Sequence, residues 1–267
     1  MSDYAGAACA VDASRRYGGI VRLYGAAGLA RLRAAQVAVA GLGGVGSWVV
    51  EALARSGVGH LRLIDLDHVA ESNMNRQIHA LEDTLGQSKV AAMAARIRLI
   101  DPGIVVECVD DFVTEANVAT TLAGPVDLVV DAIDDLSAKA AIVLHCRRHG
   151  IRLVTLGAAG GQTDPTRIVI GDLSRTEQDP LLARLRKRLR QKHGFSRNPA
   201  RRFGIDAVYS TEPLRYPEGS CEAVVGPAGL NCAGFGSSIA VTASFGLAAA
   251  SRAIDRLLAA VPDSGQE

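Results

Sequence analysis

Short apolar runs alternate with longer segments of mixed polarity over the first two thirds of the chain. The apolar runs occupy residues 37–40, 61–66, 104–109, 128–133 and 152–157. Each run has the length of a buried strand, and most of the segments between runs are long enough for a helix with one apolar face. Strands that alternate with helices form a mostly parallel sheet covered on both faces. The pattern therefore predicts a Rossmann-like, doubly wound α/β fold.

The same pattern suggests three parts of the chain. Residues 1–35 are predicted to be a helical N-terminal segment, and residues 36–165 the Rossmann-like core. After residue 165 the rhythm changes, with one more expected strand at 167–172, so we treat residues 166–267 as a C-terminal elaboration.

Residues 223–251 carry no charge, which permits two interpretations. The segment is long enough to span or contact a bilayer. However, glycine, proline, serine and asparagine residues interrupt it. The favoured interpretation is a buried closing helix at about 236–258, and peripheral membrane contact is the alternative.

Composition limits the classes of function. The chain has 267 residues, 48% of them hydrophobic, which suits one large α/β domain with an ample core. The net charge is +1, so a nucleic-acid site must come from local clustering. One cluster exists, because residues 181–203 contain nine Lys or Arg and no acidic residue. An amphipathic helix is predicted for its first half.

The five cysteines form no CxxC pair and follow no secretory signal. A reducing cytoplasm is the simplest location for such a chain, and a structural zinc site has no ligand set. We expect Cys232 to be a buried structural cysteine, with a reactive thiol as the alternative.

A glycine-rich motif follows the first predicted strand and opens a helix. Its glycines, which let the backbone approach phosphates at a helix N-terminus, are Gly41, Gly43, Gly44 and Gly46. Asp65 follows 19 residues after Gly46, at the end of the second strand, where a carboxylate accepts hydrogen bonds from ribose hydroxyls. These residues predict a nucleotide site but fit NAD and ATP equally well.

The loop after Asp65 favours ATP over NAD. It contains Asn73, Arg76 and Gln77, and Lys89 opens the next predicted helix. Transfer of an adenylyl group develops charge on phosphate oxygens, which fixed cations and donors stabilise. We therefore expect Arg76 and Lys89 to be catalytic, although each alone also fits a solvated surface residue.

Three carboxylates, those of Asp131, Asp134 and Asp135, follow the fourth predicted strand. Ligands of open parallel sheets bind at this edge, and a carboxylate there can hold Mg²⁺ against phosphates. The alternative for Asp134 or Asp135 is to cap the helix that begins near residue 137.

The motifs GLGGVG, LIDLD, SNMNRQ, GQSK and DAIDD, in this order, resemble the ubiquitin-activating-enzyme-like (ThiF/MoeB-type) adenylyltransferases. The resemblance implies that Asp65 binds ribose and that Asn73, Arg76 and Lys89 bind phosphates. It also implies that Asp134 holds Mg²⁺ and contributes to catalysis. Many relatives activate the C-terminus of a sulfur-carrier protein, which stays an alternative, but those typically carry two CxxC pairs.

Further segments, among them RRYGGIVRLYG, DDFVT and VTLGAAGGQTDPT, resemble a narrower group within this family. Its members activate the threonine carboxylate of a modified adenosine beside the anticodon of tRNA, and ring closure gives a cyclic, hydantoin-type form with loss of water. The resemblance therefore implies ATP, Mg²⁺ and tRNA carrying N6-threonylcarbamoyladenosine. An NAD-binding oxidoreductase is the alternative from another class.

The resemblance also implies assembly and RNA contacts. The family completes its ATP site with an arginine from a partner subunit, so a homodimer is expected, and Arg16 and Arg22 are both candidates because glycines occupy positions 18 and 19. Sulfur-relay proteins are possible partners. The residues expected to contact tRNA phosphates are Arg184, Arg186, Lys187, Arg188, Arg190 and Lys192, followed by Arg197, Arg201 and Arg202. A solvated helix face is the alternative for them.

Overall fold

A computed structural model describes residues 13–216 and 235–259. Its strands are β1 (Gln36–Ala40), β2 (His60–Ile64), β3 (Val105–Val109), β4 (Leu128–Asp131), β5 (Arg152–Leu156), β6 (Ile168–Asp172) and β7 (Asp206–Ser210). They form one sheet in the order β3-β2-β1-β4-β5-β7-β6. Neighbouring strands pair in parallel except β6 and β7, which are antiparallel. The predicted fold class is confirmed.

The helices lie on both faces of this sheet. They are α1 (Ala13–Arg16), α2 (Gly18–Ala34), α3 (Gly46–Arg55), α4 (Lys89–Ile100), α5 (Val118–Thr121), α6 (Leu136–His149), α7 (Pro180–Lys192) and α8 (Ile239–Leu258). Side chains alternate along β1, so Val37 and Val39 face the core beneath α3, α4 and α8. Ala38 and Ala40 face the core beneath α6 and α7. Two apolar layers thus enclose the sheet.

Helix α8 buries its apolar side against the sheet and against α3. Phe245 and Ala249 are fully buried, and a Cβ at Gly246 would lie 2.6 Å from the carbonyl oxygen of Val45. The helix therefore approaches α3 closely, as the buried-helix interpretation of residues 236–258 expects. Over the described ranges, no helix is long and apolar enough to cross a membrane. The cytoplasmic location stays a prediction.

Strand β7 was not predicted from the sequence. It inserts between β5 and β6, and its buried Asp206 accepts hydrogen bonds from Arg252 at 2.9 Å and from Arg256 at 2.5 Å. These contacts attach β7 to α8. Strands β6 and β7 thus extend the sheet of the core, and the division into segments 1–35, 36–165 and 166–267 stays a prediction.

Two strands end earlier than their apolar runs suggest. Strand β2 ends at Ile64 and β4 ends at Asp131, although the apolar runs continue to residues 66 and 133. Asp65 and Asp134 consequently lie in loops at the carboxyl edge of the sheet.

Candidate nucleotide site

A cavity of about 640 Å³ runs along the carboxyl edge of the sheet. The loops after β1 to β5 and the start of α8 form its walls. The predicted site residues that line it are Gly41, Gly43, Gly44, Asp65, Asn73, Arg76, Gln77, Lys89 and Asp134. Open α/β sheets bind ligands in such a crevice.

The glycine loop closes tightly between β1 and α3. Gly41 has a φ of +87°, and a Cβ there would lie 2.9 Å from the carbonyl oxygen of Ala132. Gly46 does not line the cavity, because its Cα packs against the carbonyl of Gly41, where a Cβ would lie 1.8 Å away. The loop therefore needs glycine to bring the N-terminus of α3 to the cavity, where its amides favour an anion.

Arg76 lies directly over this loop. A Cβ at Gly44 would lie 2.9 Å from the Cδ of Arg76. The Arg76 guanidinium donates to the carbonyl of Ser72 and to Oδ1 of Asn75, both at 2.8 Å, and Trp48 donates to the Arg76 carbonyl at 2.9 Å. The cation is thus held beside the N-terminus of α3, where helix amides favour an anion.

Asp65 is held by backbone amides of two loops. Its Oδ2 accepts from the amide of Leu42 at 2.6 Å, and its Oδ1 accepts from the amide of Asp67 at 2.9 Å. Burial raises the pKa of Asp65, while the nearby Lys89 ammonium and these amides oppose the rise. The carboxylate is fixed at the wall between β1 and β2, with remaining lone pairs for hydroxyl donors.

Lys89 places a buried positive charge in the same wall. Its Nζ lies 2.7 Å from Oδ2 of Asp67 and 4.0 Å from Oδ1 of Asp65. Asn73, also buried, accepts from the amide of Ala70 at 3.1 Å and shapes the turn that carries Arg76. Neither Lys89 nor Asn73 is a solvated surface residue.

The three carboxylates after β4 have different surroundings. Asp135 caps α6 by accepting from the amides of Ser137 and Ala138, both at 2.8 Å. Asp131 is fully buried and pairs with Lys139 at 3.0 Å. Asp134 remains half-buried at the cavity wall. The capping alternative is thus correct for Asp135, and Asp134 is the carboxylate available to a ligand.

A metal at Asp134 would need oxygen ligands from the nucleotide. Within the described residues, no three His, Cys, Asp or Glu side chains cluster so that they would hold an ion. Mg²⁺ in nucleotide sites is commonly bound by one or two carboxylates, substrate phosphates and water. One half-buried carboxylate at the cavity wall fits that arrangement.

The two candidate finger arginines lie outside the cavity. Arg16 donates to Oδ1 of Asp101 at 3.2 Å, and the same carboxylate accepts from Tyr17 at 2.6 Å and from Arg33 at 2.8 Å. Arg22 is exposed on α2. Within one chain, neither reaches the cavity lining.

The basic stretch has two kinds of cation. Arg186 donates to Oγ1 of Thr176, Arg188 donates to Oγ of Ser137 at 3.0 Å, and Arg190 donates to backbone carbonyls while lying over the ring of Phe203. These three arginines brace α7 against its neighbours. The exposed cations of the stretch are Arg184, Lys187, Lys192, Arg197, Arg201 and Arg202.

Sequence reasoning missed the loop after β3 as a cavity wall. Asp111, Phe112 and Thr114 line the cavity, and Phe112 is 56% exposed. Asn117 fixes this loop by accepting from the amide of Thr114 at 2.7 Å and donating to the carbonyl of Phe112 at 2.7 Å. The segment DDFVT contributed only to the family resemblance, because its place beside Asp65 depends on strand order.

The thiols within the described ranges lie away from the cavity lining. Cys146 is buried, and burial raises its pKa to about 12, so its thiol stays protonated near neutral pH. Cys108 is exposed beside α4, and Cys232 lies outside the described residues.

Comparison with known proteins gives a consistent family. Residues 15–263 match the model of the ThiF family. A tRNA threonylcarbamoyladenosine dehydratase of Haemophilus influenzae is 51% identical over 245 residues, which cover 91% of this chain and 94% of that protein. The Escherichia coli tRNA N6-threonylcarbamoyladenosine dehydratase in complex with ATP superposes with a TM-score of 0.84 at 47% identity, covering 92% of this chain and 96% of that one. Its complex with AMP matches with the same TM-score at 46% identity, over 94% and 98% of the two chains.

Proposed function

The chain belongs to the ThiF family, and from that premise we propose that it is an ATP-dependent dehydratase of N6-threonylcarbamoyladenosine in tRNA. The observation that carries the proposal is similarity over more than nine tenths of both chains to an enzyme of that name that has been crystallised with ATP and with AMP. The lining of the cavity supports the proposal, because it combines a glycine loop, two cations and a carboxylate. Activation of the substrate carboxylate as an acyl-adenylate is the step that consumes ATP.

The strand order supports one orientation of ATP. The α3 N-terminus after β1 takes the phosphates, and Asp65 after β2 takes the ribose hydroxyls. The base then lies over the loop after β3, where Phe112 offers an aromatic face. Arg76, Asn73 and Lys89 would surround the phosphates, and Asp134 would hold Mg²⁺. Mg²⁺ supplies charge neutralisation to the phosphates when bound.

The chemistry follows in two displacements. A carboxylate oxygen of the substrate attacks the α-phosphorus, the bond to the bridging oxygen breaks, and pyrophosphate leaves. The carbamoyl nitrogen attached to the adenine ring then attacks the activated carbonyl and loses its proton, and AMP leaves with the former carboxylate oxygen. Arg76 and Lys89 stabilise the charge that develops on the phosphate oxygens. Because nucleophile and acyl group belong to one substrate, proximity favours ring closure without a protein thiol.

The exposed cations of the basic stretch supply the tRNA contacts in this proposal. Arg184, Lys187 and Lys192 stand on α7, and exposed arginines at 197, 201 and 202 follow it. Contacts between such cations and phosphates give an affinity for tRNA that decreases as the salt concentration rises. Arg186, Arg188 and Arg190, which the sequence analysis placed in the same set, bond to neighbouring groups of the protein, so we assign them to holding α7 in position.

Assembly enters the proposal through the N-terminal arginines. Since Arg16 and Arg22 lie outside the cavity of their own chain, either would reach an ATP site only as the finger of a homodimer partner. Both arginines are exposed, but Arg16 pairs with Asp101, so Arg22 is the better candidate. Sulfur-relay partners remain a prediction from the family resemblance.

One incubation tests the proposed function. The protein is mixed with ATP, Mg²⁺ and tRNA that carries N6-threonylcarbamoyladenosine. The tRNA is then digested to nucleosides, and their masses are measured by mass spectrometry. We expect loss of one water from the modified nucleoside with formation of AMP and pyrophosphate, and no loss without ATP. AMP transfer to a carrier-protein C-terminus, or NAD-dependent turnover, with an unchanged nucleoside mass would favour the two alternatives.

A further inference from the structure

The cavity continues past the region assigned to ATP. Its far wall, which we call the β5 end, consists of the loop at residues 157–160 and Leu181. The base, ribose and phosphates are assigned to the loops after β3, β2 and β1, so this wall lies beyond the phosphates along the sheet edge. The β5 end is therefore where a second reactant would reach the phosphates of ATP.

Asp179 fixes the backbone of the β5 end. Its Oδ1 caps α7 by accepting from the amide of Leu182 at 2.8 Å, and its Oδ2 accepts from the amide of Ala158 at 2.9 Å. A Cβ at Gly157 would lie 1.9 Å from this Oδ2, so only glycine allows the contact. The preceding Gln178 has a left-handed φ of +53°, an uncommon conformation for a residue with a side chain. The strained backbone at Gln178 thus holds the Asp179 carboxylate against the loop at residues 157–160.

Thr242 provides an unused polar group in the cavity wall formed by the start of α8, one turn before Gly246, which packs against the start of α3. It is 3% exposed, and its Oγ1 has no hydrogen-bond partner. A threonine hydroxyl within a helix ordinarily bonds to a carbonyl three or four residues earlier. Leaving a buried hydroxyl unpaired costs stability, so a ligand that supplies the partner explains it.

Helix α7 connects the β5 end to the exposed cations. Leu181, in the first turn of α7, lines the cavity, while Arg184 and Lys187 are exposed on the following turns. RNA that contacts these cations through its phosphates would bring an extruded base to the nearby cavity mouth. Entry of the tRNA substrate from this side places its reacting group beyond the α-phosphate of ATP.

We infer that the β5 end is the acceptor subsite, and that the Thr242 hydroxyl donates a hydrogen bond to the carboxylate-bearing arm of the modified nucleoside. This inference rests on the proposed function. The departing pyrophosphate is the other anion that the same donor suits, so the test must separate the two sources.

Thr242→Val tests the inference, because it keeps the shape of the side chain and removes the hydroxyl. We expect the KM for modified tRNA to rise about 10- to 100-fold, the effect of losing a hydrogen bond to a charged group. The KM for ATP should not change, and the melting temperature should not fall, since no protein partner is lost. Thr242→Ser should recover most of the tRNA affinity.

Thr121→Val is the matched control. Thr121 is also a buried helical threonine, but it donates to the carbonyl of Asn117 at 2.9 Å, and it does not line the cavity. We expect it to leave both KM values unchanged. Gly157→Ala is a second variant of the subsite, since its methyl group displaces the Asp179 carboxylate and should likewise raise the KM for tRNA.

Each outcome decides the inference. A folded Thr242→Val enzyme with wild-type KM for tRNA overturns it. A raised KM for ATP, with tRNA unaffected, assigns the hydroxyl to the phosphates and also overturns it. If Thr242→Val does not fold, the KM values of Gly157→Ala for tRNA and for ATP test the inference in the same way. Failure of the proposed function looks different, because the wild-type protein itself would then remove no water.

Discussion

Removing the buried cation of Lys89 should reduce kcat more strongly than it reduces the stability of the fold. The replacement Lys89→Met keeps the length and apolar stem of the side chain but leaves no ammonium beside Asp67, 2.7 Å away, or Asp65, 4.0 Å away. Loss of a preorganised electrostatic group typically costs about 3–4 kcal/mol in the transition state. The kcat should therefore fall on the order of 100- to 1000-fold.

The same substitution should change the response of ATP binding to pH. Burial already raises the pKa of Asp65, and the Lys89 ammonium opposes that rise. Without the ammonium the pKa of Asp65 rises further, and a protonated carboxyl accepts ribose hydroxyls less well. We expect ATP affinity, measured by calorimetry, to weaken at a higher pH in Lys89→Met than in the wild type as the solution is acidified.

Steady-state kinetics with saturating modified tRNA provides the assay, and Arg98→Met is the control. Arg98 is an exposed cation on α4, the helix that Lys89 opens, but it does not line the cavity. Its loss should leave kcat within the error of measurement. A folded Lys89→Met enzyme with the kcat of the control would refute the role that we give to the buried charge.

Three further predictions concern other parts of the molecule. Asp134→Asn should abolish Mg²⁺-dependent turnover at an unchanged melting temperature, because Asp134 faces the cavity and not the core; activity near wild type would remove it from the site. Replacing Arg184, Lys187 and Lys192 with Gln should flatten the slope of log affinity for tRNA against log salt by roughly 2–3 units, at about 0.7–0.9 per phosphate contact. An unchanged slope would make these cations a solvated face. Burial lowers the pKa of His79 to about 4, so between about pH 6.5 and pH 4 the unfolded chain binds a proton that the folded protein does not. The free energy of unfolding should therefore fall by roughly 3 kcal/mol as the pH drops through this range. Chemical denaturation at several pH values measures this, and His79→Leu should flatten the dependence.

The sequence predicted the features that depend on local pattern. Apolar runs located β1 to β6 within a few residues, and the glycine motif located the turn into α3, because strand burial and phosphate-loop geometry leave direct marks on residue type. The sequence singled out Asp65, Arg76 and Lys89, which line the cavity, because a polar, cationic loop after a buried strand is unusual. These residue patterns can be recognised in the sequence without knowing which other segments pack against them.

Other features depend on contacts between distant segments. Strand β7 is five residues long and takes its place through the pairing of Asp206 with arginines of α8, a contact over more than forty residues. The basic stretch looks uniform in sequence, yet Arg188 on α7 donates a hydrogen bond to Ser137 on α6, while Lys187 is exposed to solvent. Charge patterning cannot separate these two roles, because the difference lies in which neighbours each guanidinium or ammonium reaches.

The path of one oxygen atom tests carboxylate adenylation most directly. The modified tRNA is prepared with a heavy oxygen isotope in the threonine carboxylate and incubated with the protein, ATP and Mg²⁺, and the nucleotide products are weighed. We expect AMP to gain one labelled oxygen for each nucleoside that loses water, while pyrophosphate stays unlabelled. Unlabelled AMP, or label in inorganic phosphate beside ADP, would contradict adenylation of the carboxylate.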